Sequence, residues 1–114
     1  MIRRTAAVSS LLCALVLCAA AARAHAGTAA RKPASHTIII DGARFAPAEL
    51  TVNAGDSIVW VNKDIVAHTA TSVKAAFDSK VIEPGKSWRY IAKQKGELPY
   101  RCSFHPMNGV LRVK

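Results

Sequence analysis

Cysteine is scarce in this chain: there are three, and two of them, Cys13 and Cys18, lie within the first 26 residues. Beyond that stretch only Cys102 remains, so no internal disulfide can staple the fold. A lone thiol in an exported chain is reactive, intermolecular or metal-bound. There is no Cys-x-x-Cys-His run for covalent haem, because the residue three after Cys102 is His105. A structural zinc site repeats paired ligands, which one cysteine cannot supply. Acids are few as well, seven against sixteen Lys and Arg, giving a net charge of +9. Those bases are not interleaved with aromatic residues, and an export signal precedes them, which excludes nucleic acid as a partner. Past residue 35 no stretch carries a 3.6-residue apolar period, and that removes helical folds.

What the N-terminus does contain is an export signal. Arg3 and Arg4 precede an uncharged, alanine-rich apolar run over 6–22, and small-residue cleavage triplets follow at 22–24 and 24–26. The run is at the short limit for spanning a bilayer. The reading is a cleaved signal over 1–26 and residence in the periplasm, with Arg3-Arg4 compatible with general or twin-arginine export. Its loss removes three arginines and leaves 88 residues, thirteen bases against seven acids, a net +6. That length supports one domain with one core, expected to be a monomer. The bases are scattered, from Arg44 and Lys63 to Lys95 and Arg101. A diffuse positive field suits solubility, or steering toward a redox partner with an acidic docking surface.

Residues 27–35 (GTAARKPAS) hold almost no bulky apolar side chain and read as a flexible tail, with the domain over 36–114. There, short β-prone runs alternate with turns. The runs are 36–41 (HTIIID), 45–52 (FAPAELTV, interrupted at Pro47), 57–62 (SIVWVN), a short strand at 77–79, 87–92 (SWRYIA), 98–102 and 110–114. Asp41-Gly42, Asn53-Ala54-Gly55-Asp56 and Glu83-Pro84-Gly85-Lys86 mark turns between them. Seven or eight strands in so short a length indicate an all-β Greek-key β-sandwich.

The chemistry gathers in Tyr100-Arg101-Cys102-Ser103-Phe104-His105-Pro106-Met107-Asn108-Gly109, with His68 thirty-four residues before the cysteine. That separation is no helical pair, so only the fold can bring His68 to the loop between the last two strands. Taken singly, each residue has a plain reading: Cys102 a buried thiol, His68 a turn histidine, Met107 filler. Together, two imidazoles, a thiolate and a thioether form the donor set of a mononuclear blue-copper centre. Cu(I) favours soft, low-coordinate ligands, Cu(II) favours nitrogen and oxygen in tetragonal array, and a rigid mixed site lies between them. One copper ion is the expected cofactor. His36, near the tail, stands apart from the set.

These residues carry a family resemblance. The runs FxPxxLTVxxGDxIxWVNxD, HTxT, FDS and EPGxSWxYxxxxxGxxxYxCxxHPM resemble a plastocyanin-type cupredoxin, near the amicyanin and pseudoazurin-like periplasmic proteins, across the whole mature domain. The resemblance implies an eight-stranded sandwich with His68, Cys102, His105 and Met107 as copper ligands under its loop-rich end. It also implies transfer of single electrons between redox proteins and no catalysis; multicopper oxidation or nitrite reduction needs further domains and histidines. A periplasmic copper chaperone or store is the alternative, though such sites are richer in methionine than a mature chain with Met107 alone.

The chain departs from the amicyanin pattern twice. One residue instead of two separates His105 from Met107, so strict counting puts the axial position on Asn108, and alignment back from Gly109 puts it on Met107. Phe104 stands where amicyanins have proline, which restores a backbone N–H able to reach the cysteine sulfur. The family's apolar docking patch would fall on Pro47, Ala67, Phe104, Pro106 and Met107, with Lys63, Lys74 and Arg101 further out.

Overall fold

Ile38, Ile40, Ile58, Trp60, Phe77 and Tyr100 meet in one core between two sheets. The computed structural model describes residues 31–114, so the expected export signal and 27–30 of the expected tail lie outside it. Among the described residues no helix is long and apolar enough to cross a membrane. The strands are β1 (Ser35–Asp41), β2 (Arg44–Ala46), β3 (Glu49–Val52), β4 (Ser57–Asn62), β5 (Thr71–Ser72), β6 (Ser87–Ile91), β7 (Gly96–Arg101) and β8 (Asn108–Val113). They form two four-stranded sheets, ordered β2-β1-β4-β6 and β3-β8-β7-β5. β1 runs parallel to β4 and β3 parallel to β8, and the remaining pairs are antiparallel. This is the Greek-key sandwich expected.

Period-two alternation puts one face of each strand inside. In β4, Ile58, Trp60 and Asn62 are fully buried and Val59 and Val61 half-buried on the other face. Ile38 and Ile40 of β1, Leu98 and Tyr100 of β7, and Leu111 and Val113 of β8 follow the same rule. Trp60 sits at the centre, its ring 5.5 Å edge-on from Tyr100 and 5.4 Å from Phe77. Truncating such a ring to alanine costs about 3–5 kcal/mol. Tyr100 lies directly across from Gly109, and its ring fills the space a Cβ there would need. That is why β8 tolerates a glycine at this point.

Two expectations are corrected. Pro47 does more than bend the run 45–52: it separates β2 from β3, which lie in different sheets. Residues 77–79 form no strand, and the short strand is Thr71–Ser72, which pairs with β7. Asp78 makes only an isolated bridge to Thr71. Its carboxylate accepts the Lys80 N–H, and Lys80 turns the chain at φ 58°, in the left-handed region.

β1 and β4 both end, at Asp41 and Asn62, on the side where His68 and Cys102 lie. The turn 53–56 occupies the other end, roughly 20 Å away along six residues of strand. There Asp56, 1% exposed, accepts the Ala34 N–H (2.9 Å), the Asn53 N–H (3.0 Å) and His36 Nε2–H (3.0 Å), and pairs with Arg31 at 3.3 Å. The chain expected to be loose up to residue 35 is therefore fastened from Arg31 onward.

The His36 hydrogen bond, followed by the Ala34 and Asn53 amides, holds the Asp56 carboxyl well below its ordinary 3.8. A carboxyl depressed in the folded state contributes its full stabilisation above the ordinary value and loses it as pH falls below. Thermal unfolding should therefore show a steeper loss of Tm on acidification below pH 3.8 in the parent than in Asp56→Asn. Identical acid limbs in the two proteins would remove Asp56 as a source of that loss.

Candidate metal centre

Two loops meet at the end where β4 stops. The first, between β4 and β5, is shaped by Asn62, which is fully buried. Its side-chain amide donates to the Val66 and Ile82 carbonyls (2.9 and 2.8 Å), and its Oδ1 accepts the Asp64 N–H (2.9 Å). His68 is then pinned by mutual backbone hydrogen bonds with Ile82, 3.2 and 2.8 Å. The second loop, between β7 and β8, is a tight turn closed by Cys102 N–H to the Met107 carbonyl (3.2 Å) and Met107 N–H to the His105 carbonyl (2.8 Å).

The turns bring three donors to one point. Cys102 Sγ lies 3.7 Å from His68 Nδ1 and 3.8 Å from His105 Nδ1, and all three atoms are within 4.8 Å of one another. His68 and Cys102 are buried and His105 is half-buried. Met107 is buried in the same loop at 3% exposure, whereas Asn108, the first residue of β8, is exposed and paired with Arg101 of β7. His36 is at the far end on Asp56, apart from the set as expected.

Hydrogen bonds to neighbouring groups fix His68 and Cys102. His68 Nε2 lies 2.9 Å from Asp64 Oδ2, a hydrogen bond that holds the ring with Nδ1 facing the sulfur. The Ala43 N–H, the His68 ring and the Ile65 N–H hold the Asp64 carboxyl down at about 2, so it remains an anion. The Cys102 sulfur accepts two backbone N–H groups, from Thr69 and from Phe104, each at 3.4 Å. Burial pushes this thiol up, but the Thr69 and Phe104 amides and the two imidazoles outweigh burial and bring it down to about 6. Thr69 Oγ1 accepts the Ser103 N–H at 2.8 Å, tying the two loops together beside the sulfur. Reading the sequence alone missed Asp64 and Thr69. Their signal was position: a carboxylate four residues before a candidate ligand, and a hydroxyl one residue after it.

This donor set fits copper. A thiolate and two imidazoles suit both oxidation states, and the buried thioether of Met107 would supply the weak fourth contact of a type 1 site. A thioether is not among the ligands that zinc recruits.

A family model described as a cupredoxin-like domain matches residues 10–113. The chain belongs to the cupredoxin-like family. Among its relatives is an amicyanin of Paracoccus versutus, 26% identical over 93 residues, covering 75% of this chain and 70% of the amicyanin. A solved structure described as a novel purple cupredoxin from Nitrosopumilus maritimus superposes with a TM-score of 0.64 at 26% identity, covering 69% of this chain and 99% of that one. A copper-containing nitrite reductase from Thermus scotoductus superposes with a TM-score of 0.67 at 26% identity, over 74% of this chain but only 23% of the reductase.

The surface around the site of this cupredoxin differs from the expected patch. Met107 is buried and contributes nothing outside. Phe104 is 54% exposed, and Ile65 and Val66, absent from the expected patch, are 90% and 43% exposed. Lys74 points to the opposite end, its Nζ 3.3 Å from the Glu97 carbonyl. The remaining charges on the strand ends and loops of the metal end balance in number: Arg44, Lys63, Lys80, Lys86 and Arg101 against Asp41, Glu49, Asp64, Asp78 and Glu83. The expected positive field for an acidic partner is therefore not centred on this face.

The Phe104 N–H reaches the sulfur, as its replacement of proline predicts. An N–H on a thiolate withdraws electron density and weakens its donation to Cu(II), favouring the reduced state. A hydrogen bond to a charged group is worth about 1.5 kcal/mol or more, and about 1.4 kcal/mol corresponds to 59 mV for one electron. Phe104→Pro should lower the reduction potential by tens of millivolts, read by cyclic voltammetry beside the parent. An unchanged or raised potential would mean that this bond does not tune the sulfur.

Proposed function

We propose that this cupredoxin is an exported single-electron carrier that holds one copper through His68, Cys102, His105 and Met107. The observation that carries the proposal is the convergence of the two imidazoles on the thiolate, all three donor atoms lying within 4.8 Å of one another. Bound copper supplies the Cu(I)/Cu(II) couple. The chain's part is to keep its donors still: Asp64 orients His68, and the Thr69 and Phe104 amides hold the sulfur. Donors that do not shift between oxidation states leave little reorganisation to slow an electron. Burial of Met107, against exposure of Asn108, supports Met107 as the residue that would supply the fourth donor.

His105 is the ligand nearest solvent, and Phe104, Pro106, Ile65 and Val66 are the exposed apolar residues of its two loops. We infer that redox proteins dock here through apolar contact. Near-neutral charge around the patch favours brief encounters set by shape over strong electrostatic capture. Burial of His68 and Cys102 argues for retaining a metal and against the copper-chaperone alternative, which needs an accessible donor for handover. The periplasm remains the proposed location on the strength of the N-terminal signal, with cleavage near residues 24–26.

Cys102→Ser tests the assignment most simply. The variant should keep the sandwich, read by far-ultraviolet circular dichroism and a cooperative melt, and lose the intense visible band of the oxidised copper protein. Retention of that band without the thiolate would end the proposal.

A further inference from the structure

The bases that do not balance at the metal end collect at the other. The turn 53–56, the β6–β7 loop 92–95 and the chain's last residue meet there: Gly55 N–H donates to the Ala92 carbonyl (2.6 Å) and Ala54 N–H to the Lys114 carbonyl (3.0 Å). Lys93 and Lys95 stand on the 92–95 loop and Lys114 beside Ala54, Lys32 follows Arg31, which pairs with Asp56 of the turn, and Lys74 joins them beside the Glu97 carbonyl. All five are exposed, and none is in an ion pair among the described residues. The two acids of this end are already engaged, Asp56 by Arg31 and His36, and Glu97 by Arg112 at 3.6 Å. The first acid in the whole chain is Asp41, so whatever part of 1–30 leads into Arg31 brings no negative charge to this end.

We propose that this lysine end docks on an anionic lipid surface, with the metal end facing away from it. Lysines on loop tips, without an arginine fork, an aromatic platform or a pocket among them, recognise charge density and not a defined shape. A sheet of anionic headgroups offers that density. An acidic protein partner would be met by an apolar core with a polar rim, and here the large exposed apolar side chains, Val73 and Ile91, stand singly. The ends are roughly 20 Å apart, more than two Debye lengths at physiological salt. Lipid at one end therefore leaves His105 free at the other. This inference does not depend on which metal the protein carries.

Each lysine beside an anionic leaflet raises partitioning about fivefold, so five predict a preference on the order of a thousandfold for charged over neutral vesicles. Arg31–Lys114 forms one compact unit with its own core, so the test uses the chain from Gly27 onward. It is co-sedimented with phosphatidylcholine vesicles, with and without phosphatidylglycerol, at low and high salt. Binding should require the anionic lipid and be released by salt. Lys93→Glu with Lys95→Glu should lower it about 25-fold or more, with an unchanged melt. The charge-matched pair Lys63→Glu with Lys86→Glu, at the metal end, should leave it nearly unchanged. The proposal fails if anionic vesicles do not retain the protein at low salt, or if both pairs lose binding equally, which would make net charge the only determinant. It also fails if polyglutamate at matched charge binds more tightly than the vesicles, which would indicate an acidic polypeptide partner.

Discussion

The Cys102 sulfur accepts one backbone N–H from each of two loops, and the geometry of the metal end follows from that shared acceptor. Thr69 donates from the loop that carries His68, and Phe104 from the loop that carries His105. A thiolate buried without such donors would be costly. With them it becomes the point on which both loops are registered. The Thr69 hydroxyl repeats the connection by accepting the Ser103 N–H. His68 is fixed from behind by Asp64, which also accepts the Ala43 N–H at 3.0 Å and so ties the β1–β2 turn to the same ligand. A metal entering this frame is asked to move very little.

The sandwich beneath supplies the stiffness. Asn62 ends β4 and carries its rigidity into the His68 loop through two carbonyls. β7 and β8 are paired along their full length, so the turn between them has little freedom. Tyr100, two residues before Cys102, is locked between Trp60, Phe45 and the bare backbone of Gly109. Charge is handled separately at the two ends. One is nearly neutral and apolar around His105, and the other carries the protein's excess of lysines.

Much of this was legible in the sequence. Runs such as SIVWVN and SWRYIA alternate with period two, and Asp-Gly and Pro-Gly turns punctuate them, because a half-buried sheet face and a tight turn impose those residue choices locally. The cluster of His68, Cys102 and His105 was legible because its chemistry is rare: a lone cysteine followed by His-Pro-Met leaves few alternatives. What could not be read was whatever depends on tertiary placement. The strand expected at Phe77 fell instead on Thr71–Ser72, because Asp78 and Lys80 form a local turn that no periodicity reveals. Met107 was expected on the surface and lies inside, because the turn folds its side chain under the loop. The division of charge between two ends appears only once it is known which loops share an end. Lys74 is the instructive case, far from the metal despite lying only six residues after His68.

The central claim is that the chain, and not the metal, builds the site. Crystal structures of the metal-free protein and of its Cu(I) and Cu(II) forms test it directly. The account predicts that His68 Nδ1 and His105 Nδ1 keep separations near 3.7 and 3.8 Å from Cys102 Sγ in all three, with the Thr69 and Phe104 hydrogen bonds intact. A metal-free structure in which either loop swings away from the sulfur, closing only when copper binds, would contradict it.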